Sequence, residues 1–282
     1  MRGALLIVAA FAVLAVPLAA PAEAPIYGGT ITCTPKSSKP ARICSLAANP
    51  RAIFRAFEER NVRYRVCVDK PHAKSRCRSR RTGRRGHRSR AAINLTRPGR
   101  YTVTWRVNGK RVKRRGFRAR APRVFVNGDS LAVGTRPYLP RALPGWPVAQ
   151  STSISRQAGD GAGVLRAQGR NLAQIIFVSL GTNGSAGASD YFRDAVRAVM
   201  HVAGPERCVV WANIVRPGAY ERLNAVLAQE NRRWRNLLVF DWVSMARAHP
   251  YWFGSDGVHP TATGYKARAR GIAEKIRLCL EI

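Results

Sequence analysis

The chain reads as an α/β domain, a parallel sheet between layers of helices, preceded by a small all-β domain. From residue 123 onward, apolar runs of strand length alternate with helical patterns. The strand candidates are Val124–Val126, Pro147–Ser151, Ile175–Leu180, Cys208–Val215 and Leu237–Trp242. Several are continuously apolar, as expected for strands covered on both faces. The helical patterns between and after them are Ala162–Arg170, Asp190–Ala203, Tyr220–Arg235 and Thr263–Leu280. Such alternation implies right-handed crossovers and a parallel sheet, with functional groups gathered at the carboxyl ends of its strands. Ahead of this region the period is two residues instead. Val62–Val68 and Tyr101–Val107 alternate apolar with polar, and the second run leads through Asn108-Gly109 into Lys110–Val112. An Asn-Gly between two such runs is a hairpin signal. Four or five short strands with turn punctuation predict an immunoglobulin-like sandwich or a fragment of one. The interval Pro71–Ser89 holds almost no apolar residue and is expected to be an exposed loop or locally disordered.

Three segments follow from these patterns: 1–24, 25–121 and 122–282, with the second boundary at Ala121-Pro122, where basic density drops. In the first, Arg2 precedes the apolar run Ala4–Ala20, and Ala20-Pro21-Ala22 fits a small-x-small cleavage pattern. This predicts a secretory leader and an exported protein, free or held at the cell wall. The run is short for a membrane span, and no later segment approaches the ~20 apolar residues that one needs. Six cysteines (Cys33, Cys44, Cys67, Cys77, Cys208 and Cys279) agree with an oxidising compartment and lack the Cys-x-x-Cys spacing of zinc sites. Spacing leaves their connectivity open. Local pairing of Cys33 with Cys44 and Cys67 with Cys77 is the expectation, with Cys208 and Cys279 tying a core strand to the last helix. Neither a metal nor a cofactor enters this reading.

The net charge of +34 is unevenly spread. Residues 25–120 carry 28 Lys and Arg against 3 Asp and Glu, whereas residues 121–282 carry 20 against 11. A surface of this kind concentrates at polyanions through counterion release. For an exported chain the expected partner is an anionic wall polymer more than nucleic acid. A plain solvated basic face is the competing reading.

Chemistry enters with three short motifs. Gly128-Asp129-Ser130-Leu131 follows the first strand of the α/β region, Gly181-Thr182-Asn183 follows the third, and Asp256-Gly257-Val258-His259 precedes the last helix. Among five histidines, His259 alone has a carboxylate three residues before it in a glycine-containing loop. There Asp256 can accept from one ring nitrogen while the other takes the proton of Ser130. Elsewhere an isolated Asp-Gly-x-His is a surface turn. An oxyanion needs donors, and the Ser130 backbone N–H and the Asn183 side chain are the candidates. Asn183-Gly184-Ser185 is also an ordinary turn and a formal glycosylation sequon. Asp129 is expected to serve structure, bonding nearby backbone or the His259 loop. Arg216 and Tyr220, past the fourth strand, are candidate substrate contacts if the topology holds. Trp211 and Trp242 are expected in the core.

In this order and spacing the three motifs resemble the SGNH/GDSL hydrolase superfamily, over about residues 123–280. The resemblance implies a flavodoxin-like three-layer fold with five parallel strands. It also implies Ser130 as nucleophile, Asp256 and His259 completing a triad, and Asn183 in the oxyanion hole. The stretches GRNLAQIIFVSLGTNG and DGVHPTATGY, with Asp241-Trp242, are most similar to extracellular domains attached to membrane acyltransferases that O-acetylate wall polysaccharide. This chain lacks the membrane part. The family also places a glycine after the second strand as an oxyanion donor. Here the segment is Ser153-Ile154-Ser155-Arg156-Gln157-Ala158-Gly159, in which Ser155 or Gly159 takes that place, and the following Arg-Gln aligns Ser155 better.

The expected activity is that of a serine esterase removing acetyl or another short acyl group from a wall or extracellular glycan. Two alternatives stand beside it. One is an O-acetyltransferase using the same triad; the other is a wall- or polyanion-binding protein whose α/β domain is catalytically silent.

Overall fold

The computed structural model describes residues 25–34, 39–83, 86–218 and 220–282. The expected leader, residues 1–24, lies outside them. Eight strands come first: β1 (Tyr27–Thr32), β2 (Ile43–Ser45), β3 (Arg51–Ala56), β4 (Arg63–Lys70), β5 (Ala73–Arg81), β6 (Arg88–Ala92), β7 (Gly99–Val107) and β8 (Lys110–Arg120). They form two sheets, in the orders β1-β3-β6 and β2-β8-β7-β4-β5. The period of two decides which face is inside. Tyr64, Val66, Tyr101, Val103 and Trp105 are buried between the sheets, while Arg63 and Arg65 point out. Phe54 of β3 stacks on Tyr64 of β4 at 4.2 Å between ring centroids, so the two sheets face each other. Tyr101 is fully buried, and its hydroxyl donates back to the Arg97 carbonyl at 2.9 Å, the tyrosine corner seen in immunoglobulin-like sandwiches. Asn108 and Gly109 both have positive φ (48° and 76°), which makes the β7–β8 connection the primed turn expected of Asn-Gly.

The interval Pro71–Ser89 departs from expectation. It is not a loop: β5 pairs antiparallel with β4 along its length, and β6 begins at Arg88. Arg84 and Arg85 lie outside the described residues. Every residue of β5 is exposed, so no apolar alternation announces it. Backbone pairing and the Cys67–Cys77 disulfide, which joins residues directly opposite in the ladder, hold it instead. The other disulfides are Cys33–Cys44 and Cys208–Cys279. The last of these fastens the start of a central strand to the end of the final helix.

From residue 124 the chain winds β9 (Val124–Gly128), α1 (Ser130–Thr135), α2 (Leu139–Ala142), β10 (Val148–Thr152), α3 (Gly161–Arg166), β11 (Ile175–Ser179), α4 (Ser189–Ala203), β12 (Cys208–Ala212), α5 (Glu221–Arg233), β13 (Leu237–Phe240), α6 (Trp242–Ala248) and α7 (Ala262–Leu278). The sheet is five-stranded and wholly parallel, in the order β10-β9-β11-β12-β13. This is the flavodoxin-like order, whose switch point lies between the first and third strands of the series, here β9 and β11. Every residue of β9, β11 and β12 is buried, as their unbroken apolar runs require. On α4, the buried Phe192, Val196, Val199 and Ala203 recur at helical spacing and cover one face of the sheet.

Some boundaries move for local reasons. The strand expected to run to Trp242 stops at Phe240, because the Asp241 side chain accepts from the Ser244 N–H and caps α6. The helix expected over 162–170 stops at Arg166, and Gly169 turns the chain with φ of 49°. The short α1 and α2 were not foreseen, since six and four residues carry no readable helical period.

Candidate active site

The ends of three adjacent strands are level. In the parallel register Gly128 of β9 lies opposite Thr152 of β10 on one side and Ser179 of β11 on the other. The loops that leave these residues carry Ser130, Ser155 and Asn183, so register alone gathers the first three motif segments at the switch point. Gly128 is required there by close packing: a Cβ would sit 2.3 Å from that of Ala132. Gly181, with φ of 117°, makes the corresponding turn after β11.

Ser130 opens α1, and the buried Asp129 side chain caps that helix by accepting the Leu131 N–H at 3.0 Å. The Asp256–His259 motif arrives just before α7. His259 Nε2 lies 2.9 Å from Ser130 Oγ, and His259 Nδ1 lies 2.6 Å from Asp256 Oδ2. The other oxygen of Asp256 accepts the backbone N–H groups of Val258 and His259 at 2.9 and 3.0 Å. The carboxylate is thereby held from both sides. The bond to His259, reinforced by the two backbone donors, keeps the Asp256 carboxyl well below the usual carboxylate range. It stays ionised wherever the imidazole works. The remaining histidines are engaged elsewhere: His249 stacks on Trp252, His201 meets the edge of Trp234, and His87 Nδ1 lies against the Glu59 carbonyl. His72 sits at the turn between β4 and β5.

The donor candidates separate. Asn183 reaches across to the Ser153–Gly159 segment, where its side-chain amide donates to the Arg156 carbonyl at 3.1 Å. That leaves its second N–H. The Gly159 N–H donates to the Tyr191 hydroxyl at 3.2 Å. Ser155 has φ of 61°, a left-handed conformation uncommon outside glycine. Glycine adopts such a backbone easily, and Ser155 is the segment's candidate that has it. Arg216 and Tyr220 pack together at 5.5 Å; the guanidinium donates to the Thr182 carbonyl at 2.6 Å and the phenol to the Gly184 carbonyl at 3.1 Å. Both therefore brace the Asn183 turn. They also line a cavity of about 340 Å³ with Phe253 and Gly257, beside the Asp256–His259 loop. Replacing Asn183 with alanine is expected to lower kcat toward a small ester by roughly 10²–10³-fold with little change in KM, measured by steady-state kinetics.

Two arginines carry parts of the site that the sequence did not announce. Arg156 bonds Asn127 Oδ1, the Gly128 carbonyl and Ser151, clamping the second loop to the ends of β9 and β10. Arg268 of α7 is only 1% exposed. Its guanidinium donates to Thr135 Oγ1 and to Ser179 Oγ, both at 3.0 Å, beneath the loop that presents Ser130. Burial lowers its pKa to about 10, with Asp129 pulling the other way, and burial pushes the Asp129 carboxyl up. No group of three or more His, Cys, Asp or Glu able to hold a metal occurs among the described residues.

No family model matches the chain. Among curated proteins it is similar to the O-acetyltransferase OatA of Staphylococcus aureus, 26% identical over 144 residues, which are 50% of this chain and 23% of that protein. The chain thus spans about a quarter of the length of the curated relatives it matches. Solved structures similar to this chain include the C-terminal catalytic domain of Streptococcus pneumoniae peptidoglycan O-acetyltransferase A, bearing a methylsulfonyl adduct. It is 19% identical with a TM-score of 0.47, covering 56% of this chain and 92% of that one. A Clostridium thermocellum family 3 carbohydrate esterase is 16% identical with a TM-score of 0.47, covering 57% and 97%. Among the described residues no helix is long and apolar enough to cross a membrane.

Proposed function

We propose that this chain is an exported serine esterase that removes acetyl or another short acyl group from a cell-wall or extracellular glycan. The observation that carries the reading is the continuous relay Asp256–His259–Ser130, with separations of 2.6 and 2.9 Å. Ser130 Oγ attacks the ester carbonyl as its proton passes to His259 Nε2. Asp256 holds the ring tautomer and stabilises the imidazolium. The oxyanion accepts from the Ser130 and Ser155 backbone N–H groups and the Asn183 side chain. Collapse expels the alcohol, which takes the proton back from His259, and leaves the acyl group on Ser130. Water, activated by the same imidazole, then releases the carboxylate. The relay is half exposed, with side-chain accessibilities of 47% for His259 and 51% for Asp256, which suits a bulky polymeric alcohol. The cavity of about 340 Å³ lined by Arg216, Tyr220, Phe253 and Gly257, next to the Asp256–His259 loop, has a size that suits one sugar ring.

A second reading is favoured by the match to an O-acetyltransferase. In it, a sugar hydroxyl replaces water in the second half-reaction. One experiment addresses both. A fluorophosphonate probe, mapped by mass spectrometry, is expected to label Ser130 and no other serine; an unlabelled Ser130 ends the acyl-enzyme reading. With an activated acetyl donor and a saturating glycan acceptor, free acetate as the product supports hydrolysis, and acetylated glycan supports transfer.

A further inference from the structure

We infer that the groove between β5 and the C-terminal segment binds a polyol-phosphate polymer, at a site separate from Ser130. In the β4–β5 ladder, Arg76, Arg78 and Arg80 lie opposite Val68, Val66 and Tyr64. All three arginines therefore point to the face of the sheet that elsewhere forms the core. They line a groove of about 1130 Å³ whose floor includes Val66 and Ile93 and whose far wall includes Leu280 and Glu281. Glu281 is the one acid in that lining, and no ion pair or hydrogen bond engages the three guanidinium groups among the described residues.

An inward charge on an edge strand discourages sheet-to-sheet aggregation, and a single one does that. Three in succession form a ladder with a repeat of about 6.8 Å, set by two strand residues. A phosphodiester chain built on a three-carbon polyol has a comparable repeat, so each phosphate can meet one guanidinium, the planar donor best matched to it. The rest of the lining decides against nucleic acid. Single strands are held by stacking bases on aromatic rings, and no aromatic residue lines this groove. Asn49, Asn94 and Thr96 in the lining suit the hydroxyls of a polyol backbone.

Position separates this groove from the catalytic machinery. α7 starts three residues after His259, and the groove wall begins at the other end of that helix. Its 17 residues span about 25 Å. A polymer lying along β5 thus leaves Ser130 open, and the groove acts as a tether. This inference stands whether or not the esterase reading does.

The test is binding of the purified protein to fluorescent poly(glycerol phosphate), by anisotropy at several salt concentrations. The triple variant R76S/R78S/R80S is compared with R63S/R65S/R81S, which removes the same charge from the opposite face of the same strands. The first is expected to weaken binding roughly tenfold or more and to flatten the salt dependence; the second is expected to change it less than threefold. The single R78Q variant, expected to lose part of the affinity in the same direction, serves if the first triple variant melts early. Equal losses in the two triple variants would mean diffuse charge and overturn the proposal. So would tighter binding to oligothymidylate of equal charge, or to phosphatidylglycerol vesicles, than to the polymer.

Discussion

Ser130→Ala and His259→Ala are each expected to lower kcat for p-nitrophenyl acetate by roughly 10⁴–10⁶-fold, and the double variant to be hardly worse than either. In the proposed relay the hydroxyl and the ring do one job, since the proton that leaves Oγ is the proton that Nε2, 2.9 Å away, receives. Removing either end removes the whole step, so the two losses do not add. Asp256→Asn tests the third member. Asparagine keeps the shape of the loop but presents an amide where Nδ1 needs an acceptor, which favours the wrong tautomer and costs about 10⁴-fold in a relay of this kind. The wild-type pH profile separates the roles further. The Asp256 carboxyl is held well below its ordinary range, so acidification through that range leaves it charged. The acid limb of kcat then reports the base and not its carboxylate partner. Unchanged thermal melting across the three variants, alongside activity within tenfold of the parent, would remove the triad as the engine of hydrolysis.

Arg268→Ala is the second large effect expected, on stability first and activity second. This guanidinium is buried over the faces of Trp242 and Phe177, 5.6 and 5.9 Å from their centroids. It bridges α1 to β11 through Thr135 and Ser179, and Ser179 in turn lies 3.4 Å from Asp129 Oδ1. Truncation leaves a buried carboxyl without its counter-charge and two buried hydroxyls without a donor. Breaking such a network from one side costs about 3–5 kcal/mol, read from the midpoint of chemical denaturation. Lysine does not replace it, because a single ammonium cannot reach both hydroxyls in a fixed fork. Removing both charges at once, as Asp129→Asn with Arg268→Met, is expected to be milder than Arg268→Ala alone. Asparagine still caps α1, and methionine fills the volume among the rings. A midpoint for Arg268→Ala within 1 kcal/mol of the parent would show that the network does not support the Ser130 loop.

What could be read from the chain and what could not divide along a physical line. Local information was sufficient where a feature is written in neighbouring residues. The unbroken apolar runs of β9, β11 and β12 announced doubly covered strands, and Asn108-Gly109 announced its turn. Asp256 and His259 are three residues apart, so their pairing is a property of one loop. The exposed β5 had no such mark, because a strand held by its backbone ladder and a disulfide has no need of apolar side chains.

The arrangement of the site belongs to the other class. Ser130 lies 129 residues before His259, and only the level ends of β9, β10 and β11 bring their loops to one rim. That the Gly159 N–H meets the Tyr191 hydroxyl, 32 residues on in α4, is likewise visible only after folding. Arg268 reads in sequence as one more cation in a basic helix, yet its partners Thr135 and Ser179 are 133 and 89 residues away. Outside β5, α1 and α2, sequence by itself determined the element types and the order of the chemical groups, because periodicity and turn propensity act over a few residues. Tertiary structure alone decided which polar groups are buried and paired, because desolvation depends on neighbours that only folding supplies.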